Sequence, residues 1–168
     1  GLAGSGIAAT LAAQGWSVLL IERDHFPRHK VCGEFLSPET QHSLHVLGLY
    51  ADVAALGPVL IPQAHLVSQA GSALQIPLPG CAWGVSRYAL DTALASAAEH
   101  RGATLWMNAT VKSYTQAGGE FIVQVRNDGG TTAVKARALI AACGRHSQAA
   151  LPPKARALPR HRQWVGVK

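Results

Sequence analysis

The chain has 168 residues, 48 % of them hydrophobic and 14 % charged, with a net charge of +6. This is ordinary globular material, enough for one domain or a little more and for a real core. No apolar run reaches the ~18–20 residues of a membrane span, and no signal peptide is visible. The basic cluster from Lys154 to Arg162 has no interleaved aromatic residues, so it reads as a solvated surface rather than a nucleic-acid site. Eight histidines are present, but no Cys/His ligand spacing or H-E-x-x-H pattern accompanies them, and no metal site is expected. Cys32, Cys81 and Cys143 form neither a C-x-x-C pair nor a disulfide framework. A reducing, cytoplasmic setting is therefore expected, and the sequon at Asn108 is chance.

The first stretch, Gly1 to Glu22, reads as a nucleotide-binding turn, a helix and a buried strand ending in an acid. Gly1, Gly4 and Gly6 permit a tight turn and close approach of a ligand. The small apolar run Ile7 to Ala13 follows, with Leu11 one turn beyond Ile7 and Gly15 closing the helix. Val18 to Ile21 is a continuous apolar run, as a parallel strand covered on both faces requires. Glu22 stands 22 − 4 = 18 residues after Gly4, close to the place of a ribose-binding acid. Free N–H groups and the helix dipole would face a pyrophosphate, while the carboxylate accepts ribose hydroxyl protons. With Gly1 and Gly4 as second and third glycines of G-x-G-x-x-G, Leu2 and Ala3 lie within the turn. The first glycine and its strand, about ten residues, would then precede Gly1.

The next segment, RDHFPRHKVCGEFLSPE, is unlike a plain βαβ crossover. Pro27 and Gly33 break regular structure, and Arg28, His29 and Lys30 put cations beside a Cys-Gly-Glu turn. Ser37 caps a helix with Pro38 in its first position, running to about Leu47 with Gly48 as its stop. Glu22-Arg23, Phe26-Pro27-Arg28, Lys30-Val31-Cys32-Gly33-Glu34 and Leu36-Ser37-Pro38 together resemble FAD-dependent oxidoreductases of the p-hydroxybenzoate hydroxylase superfamily. The similarity is to its geranylgeranyl reductase-like and flavin halogenase-like branches. It implies that the loop runs beside FAD, with Cys32 and Gly33 near the isoalloxazine ring.

From Ala51 to Pro79 the texture turns β-rich: Val59–Ile61, Ala64–Ser68 and Ala73–Leu78 read as short strands, the last two joined as a hairpin around Gln69-Ala70-Gly71. Trp83 to Asp91 opens a helix reaching about His100, with Leu90, Leu94 and Ala97 or Ala98 on one face. Arg87 and Asp91 are four apart, and an exposed pair there is worth only ~0.3–0.5 kcal/mol. The family pattern R-x-x-L-D is matched at Arg87, Leu90 and Asp91, and this resemblance implies an FAD contact for Arg87.

Thr104 to Met107 reads as a parallel strand returning to the nucleotide sheet. The resemblance implies an adenine contact through the backbone of Val111. Phe121–Arg126 and Thr131–Lys135 flank Asp128-Gly129-Gly130 as a hairpin, similar to the family's β-meander. Ala138 to Ala142 reads as a buried strand ending at a glycine turn, with Cys143 as a small buried thiol. This end resembles the family motif A-D-G-x-x-S, with Cys143 replacing the acid and Gly144, Arg145 and Ser147 matched. A Pro-rich basic linker follows, and Trp164–Lys168 looks like the start of a strand.

The expected fold is α/β: a Rossmann-like FAD-binding domain with a parallel sheet and β-meander, interrupted by a β-rich part of a substrate domain. The expected division is 1–57 and 83–150 for the FAD-binding domain, 58–82 for the β-rich segment, and 151–168 for the linker and a substrate-domain strand. The expected cofactor contacts are Gly1, Leu2, Ala3, Gly4, Glu22, Arg23, Arg28, Lys30, Cys32, Gly33, Arg87, Val111 and Gly144. Cys32 is also the one candidate for a direct chemical role, because Arg28 and Lys30 precede it. The resemblance implies FAD as the cofactor, reduced by NAD(P)H or another donor, and then acting on an organic, lipid- or polyketide-like small molecule as a monooxygenase or halogenase or as an ene-reductase. Peripheral membrane contact and oligomeric state are left open. Two other readings stand beside this one: an NAD(P)-dependent dehydrogenase using Gly1–Glu22, and a non-catalytic nucleotide-binding fragment.

Overall fold

The computed structural model describes residues 1–144; Arg145, Ser147, the basic cluster and the Trp164–Lys168 strand lie outside the described residues. The nucleus of the fold is a parallel pair, β1 (Leu19–Ile21) with β5 (Thr104–Trp106), Leu20 opposite Leu105. Beside it pack two helices, α1 (Leu2–Ala13) and, in sequence order the fourth helix, α4 (Arg87–His100).

Helix α1 buries Ser5, Gly6, Ala8, Ala9 and Ala12, and leaves Ile7 38 % exposed. The buried stripe is thus made of small residues and is rotated away from the expected Ile7–Leu11 line. Small side chains let two helix backbones approach closely, and Ile7 faces outward. Across the interface α4 supplies Leu90, Leu94, Ala97 and Ala98, the stripe its spacing predicts. The Ser86 hydroxyl caps α4 by accepting the Ala89 N–H, and Gly102 at φ +97° follows its end.

Helix α2 (Pro38–Val46) has Pro38 in its first turn, as expected. The Ser37 hydroxyl, however, lies 3.3 Å from that of Thr40 and makes no bond to a helix N–H. After Gly48 a short helix α3 (Tyr50–Ala54), unforeseen from the sequence, buries Val53 beside Leu49. Arg101 at the end of α4 donates to Gly48 O at 2.6 Å and to Asp52 Oδ2 at 2.7 Å, tying the α2–α3 corner to α4.

Two antiparallel sheets complete the described chain. In the first, order β2-β4-β3, β3 (Val59–Val67) is one strand with an irregularity between Ile61 and Gln63, where two short strands were expected. It forms the expected hairpin with β4 (Ala73–Gly84). Trp83 and Gly84 do not open the next helix. They close β4, where Trp83 pairs with Leu60 on one side and with Leu36 of β2 (Phe35–Leu36) on the other, 5 % exposed. The second sheet is a meander of β6 (Thr110–Ala117), β7 (Glu120–Asn127) and β8 (Gly130–Ala136). Its last hairpin was legible in the turn chemistry, and β6 was not. Ala109, Val123 and Val125 form its own small core with Ile21 and Trp106 packed against it.

The strand expected over Ala138–Ala142 is not formed: the segment has no regular secondary structure, Ile140 is 54 % exposed and Cys143 is exposed rather than buried. Among the described residues it has no ladder partner, and Ala138 and residues 140–144 are exposed. No described helix is long and apolar enough to cross a membrane.

Candidate functional site

The site forms where three segments meet: the start of α1, the end of β1 with its following loop, and the start of α4. The Ser5 N–H donates to Gly1 O at 3.0 Å, so the N–H groups of Leu2, Ala3 and Gly4 have no acceptor within the helix. Glu22 extends the β1–β5 ladder: its N–H donates to Trp106 O at 2.8 Å and its carbonyl accepts from Ala109 N at 3.0 Å. The backbone therefore fixes where this carboxylate stands. Its Oε2 accepts from the Gly1 nitrogen at 2.6 Å and lies 3.5 Å from Arg28 Nη2, while Oε1 accepts from the Asp24 N–H at 3.3 Å. Burial opposes ionisation of Glu22, while the Asp24 N–H and Arg28 favour it. Two oxygens offer about four lone-pair sites, so acceptor capacity remains for a ligand hydroxyl.

Arg87 and Asp91 are paired, but in the interior rather than on an exposed helix face. Arg87 Nε and Nη2 donate to the two Asp91 oxygens, each at 2.9 Å, and Asp91 is fully buried. Arg28 Nη2 lies 3.9 Å from Asp91 Oδ2, and Arg28 Nε 3.3 Å from Asp24 Oδ2. Two guanidinium groups from distant parts of the chain thus converge on one buried carboxylate. Burial works against the Arg87 charge, but Asp91, with a smaller contribution from Cys32, more than restores it and raises the pKa.

Gly1 lies under this pair. A Cβ there would stand 3.6 Å from Arg28 Nη2, 3.8 Å from Arg87 Nη2 and 3.9 Å from Asp91 Oδ2. Gly4 faces the other way, where a Cβ would meet Leu20 Cδ1 and Ala142 Cβ at 3.4 Å. The first glycine keeps a floor open beneath two cations, and the second allows close helix–strand packing. Helix N–H groups, two guanidinium forks and an acid at the strand end are a donor and acceptor set that fits a dinucleotide carrying a pyrophosphate and a ribose.

The other expected contacts divide. Cys32 joins the cluster through Arg87, and its thiol is held below its ordinary value by the Glu34 main chain, against partial burial, and then by Arg87. Those groups, not Arg28 and Lys30, are what favour its thiolate. Leu2 packs on the main core, while Ala3 and Gly33 are exposed. The Arg23 side chain is 72 % exposed and pairs with Asp24, and Lys30 is also exposed. Val111 lies in β6 against the meander core, and Gly144 takes φ +75° at the end of the described chain. Sequence reading passed over Asp24 and gave Asp91 no site role. The four-residue spacings Asp24–Arg28 and Arg87–Asp91 were the available signal.

Residues 1–162 match the family described as the FAD binding domain. A menaquinone reductase of Mycobacterium tuberculosis is 32 % identical over 172 residues, covering 98 % of this chain and 40 % of the relative. The chain thus spans about two-fifths of the length of that relative. Among solved structures, the flavin-dependent halogenase CmlS is 30 % identical with a TM-score of 0.69, over 80 % of this chain and 26 % of the other. A flavoprotein/dehydrogenase from Cytophaga hutchinsonii has a TM-score of 0.72 at 23 % identity, over 82 % of this chain and 36 % of the other, a likeness of fold. With an α/β fold that carries a parallel pair and a β-meander, and a glycine turn facing two arginines, the chain belongs to the FAD binding domain family.

Proposed function

We propose that the chain is the FAD-holding part of an FAD-dependent oxidoreductase. The observation that carries this reading is the convergence of the α1 N-terminus, Glu22, Arg28 and Arg87 around Gly1. In it, the N–H groups of Leu2, Ala3 and Gly4 and the two guanidinium groups bind the pyrophosphate, and Glu22 accepts from the adenosine ribose. The main chain of Val111 meets the adenine, and Cys32 and Gly33 border the flavin ring. Exposed Arg23, Lys30 and Gly144 serve at the margin. The bound cofactor supplies the redox chemistry, and the protein orients it and keeps water away.

Residues 1–57 and 83–150 form the FAD-binding domain in this proposal, 58–82 contribute to a substrate domain, and 151–168 lead back to it. NAD(P)H or another donor provides the electrons, and an organic, lipid- or polyketide-like molecule is the substrate. Similarity to a menaquinone reductase favours transfer of reducing equivalents to the organic substrate, and similarity to a halogenase favours use of O₂. The test is purification of the protein encoded by the parent reading frame. An absorption band near ~450 nm, or its appearance on adding FAD, is expected. No flavin, and no binding of added FAD, overturns the reading in favour of a nicotinamide dehydrogenase or a non-catalytic nucleotide-binding piece. Slow reoxidation in air after anaerobic reduction supports the reductase, and fast reoxidation supports the O₂-using enzyme.

A further inference from the structure

Asp91 presents a puzzle of sign. A fully buried carboxylate stands 3.9 Å from where a Gly1 Cβ would be, beside the proposed place of an anionic ligand. Its field disfavours that anion. Yet both of its oxygens are bonded by Arg87 at 2.9 Å, and Arg28 reaches to within 3.9 Å of one of them. Arg87 begins α4, Arg28 belongs to the loop after β1, and their charges repel where they meet. Without an anion between them, two long side chains would swing apart toward solvent and recover rotamer entropy.

We propose that Asp91 is a positioning residue, which holds the Arg87 and Arg28 guanidinium groups over Gly1 so that they bind the anionic part of the cofactor. This rests on the FAD reading of the site. Asp91 touches no ligand itself and acts through the two arginines. Its unfavourable field is smaller than the gain from donors held in place before the ligand arrives.

The two roles of the carboxylate predict opposite outcomes, which makes the test sharp. FAD is titrated into the cofactor-free full-length protein, following flavin fluorescence, for wild type, Asp91→Asn, Arg87→Gln and the double variant. Circular dichroism establishes that each is folded. Asp91→Asn is expected to raise the Kd about tenfold and to flatten its dependence on salt, because ordered cations are lost from the site. A purely structural residue would lower melting temperature without moving the salt dependence. In the Arg87→Gln background, Asp91→Asn is expected to add less than about threefold, since its chief partner is gone. An unchanged or lower Kd for Asp91→Asn overturns the inference, as do independent, multiplying losses in the double variant.

If Asp91→Asn alone does not fold, Arg87→Gln is compared with the double variant, where a neutral pair replaces the buried ions. Equal or tighter binding by the double variant supports positioning, since without Arg87 only the unfavourable field of Asp91 remains, and binding about tenfold weaker overturns it. A wild-type protein with no affinity for FAD overturns the cofactor reading and this inference together. Wild-type binding that Asp91→Asn leaves intact overturns this inference alone.

Discussion

The α1–α4 nucleus and the β3–β4 hairpin use apolar residues in opposite ways. Around α1 and α4 even alanines are fully covered: Ala9 and Ala98 are both 0 % exposed. Along the hairpin Leu66 and Leu74 are 56 % and 58 % exposed, although both strands are rich in apolar residues. Strand β4 crosses from one regime to the other, from exposed Leu74 and Ile76 to buried Ala82 and Trp83. Apolar composition thus marks strands well and burial poorly. What separates the two regions is a second layer, helices over the parallel pair on one side and none over the outer hairpin among the described residues.

Substitutions put numbers on that contrast. Leu49→Ala, at a side chain 1 % exposed, is expected to destabilise the protein by about 2–5 kcal/mol in urea unfolding, through lost burial and a residual cavity. Gly4→Val comes next: its added atoms meet Leu20 and Ala142, and overpacking of this kind costs about 1–3 kcal/mol. It should also weaken FAD binding, because the start of α1 is displaced. Ser5→Ala has the opposite sign. Among the described residues the buried Ser5 hydroxyl has no hydrogen-bond partner, so its removal is expected to stabilise by about 1 kcal/mol. Leu74→Ala, on the exposed hairpin, should stay within about 0.5 kcal/mol of wild type. Equal costs for Leu49→Ala and Leu74→Ala would dissolve the distinction between the two regions.

Much of the nucleus was legible in the sequence because local rules and tertiary packing agree there. Gly4 packs α1 against Leu20, the Leu19–Ile21 run forms the parallel strand, Glu22 continues its ladder, and the α4 stripe follows from its spacing. The rest depended on partners far along the chain. Strand β2 has two residues and exists because Trp83 lies beside Leu36. The Ala138–Ala142 run has the composition of a buried strand but finds no ladder among the described residues, since composition alone supplies no partner strand. The spacing of Arg87 and Asp91 could not distinguish an exposed pair from a buried one, since Arg28 and the start of α1 decide that.

The narrow seam between α1 and α4 acts as a gauge for the site. Ser5, Ala8, Ala9 and Ala12 set how near the helices lie, and Gly1 and Arg87 stand at the opening of that same seam. The span from Gly1 to the arginine heads is therefore a dependent dimension, governed by methyl groups up to about 16 Å away along α1 at 1.5 Å per residue. A larger residue at Ala9 or Ala12 would act as a shim, widening the mouth of the proposed cofactor site without touching Gly1, Glu22 or either arginine.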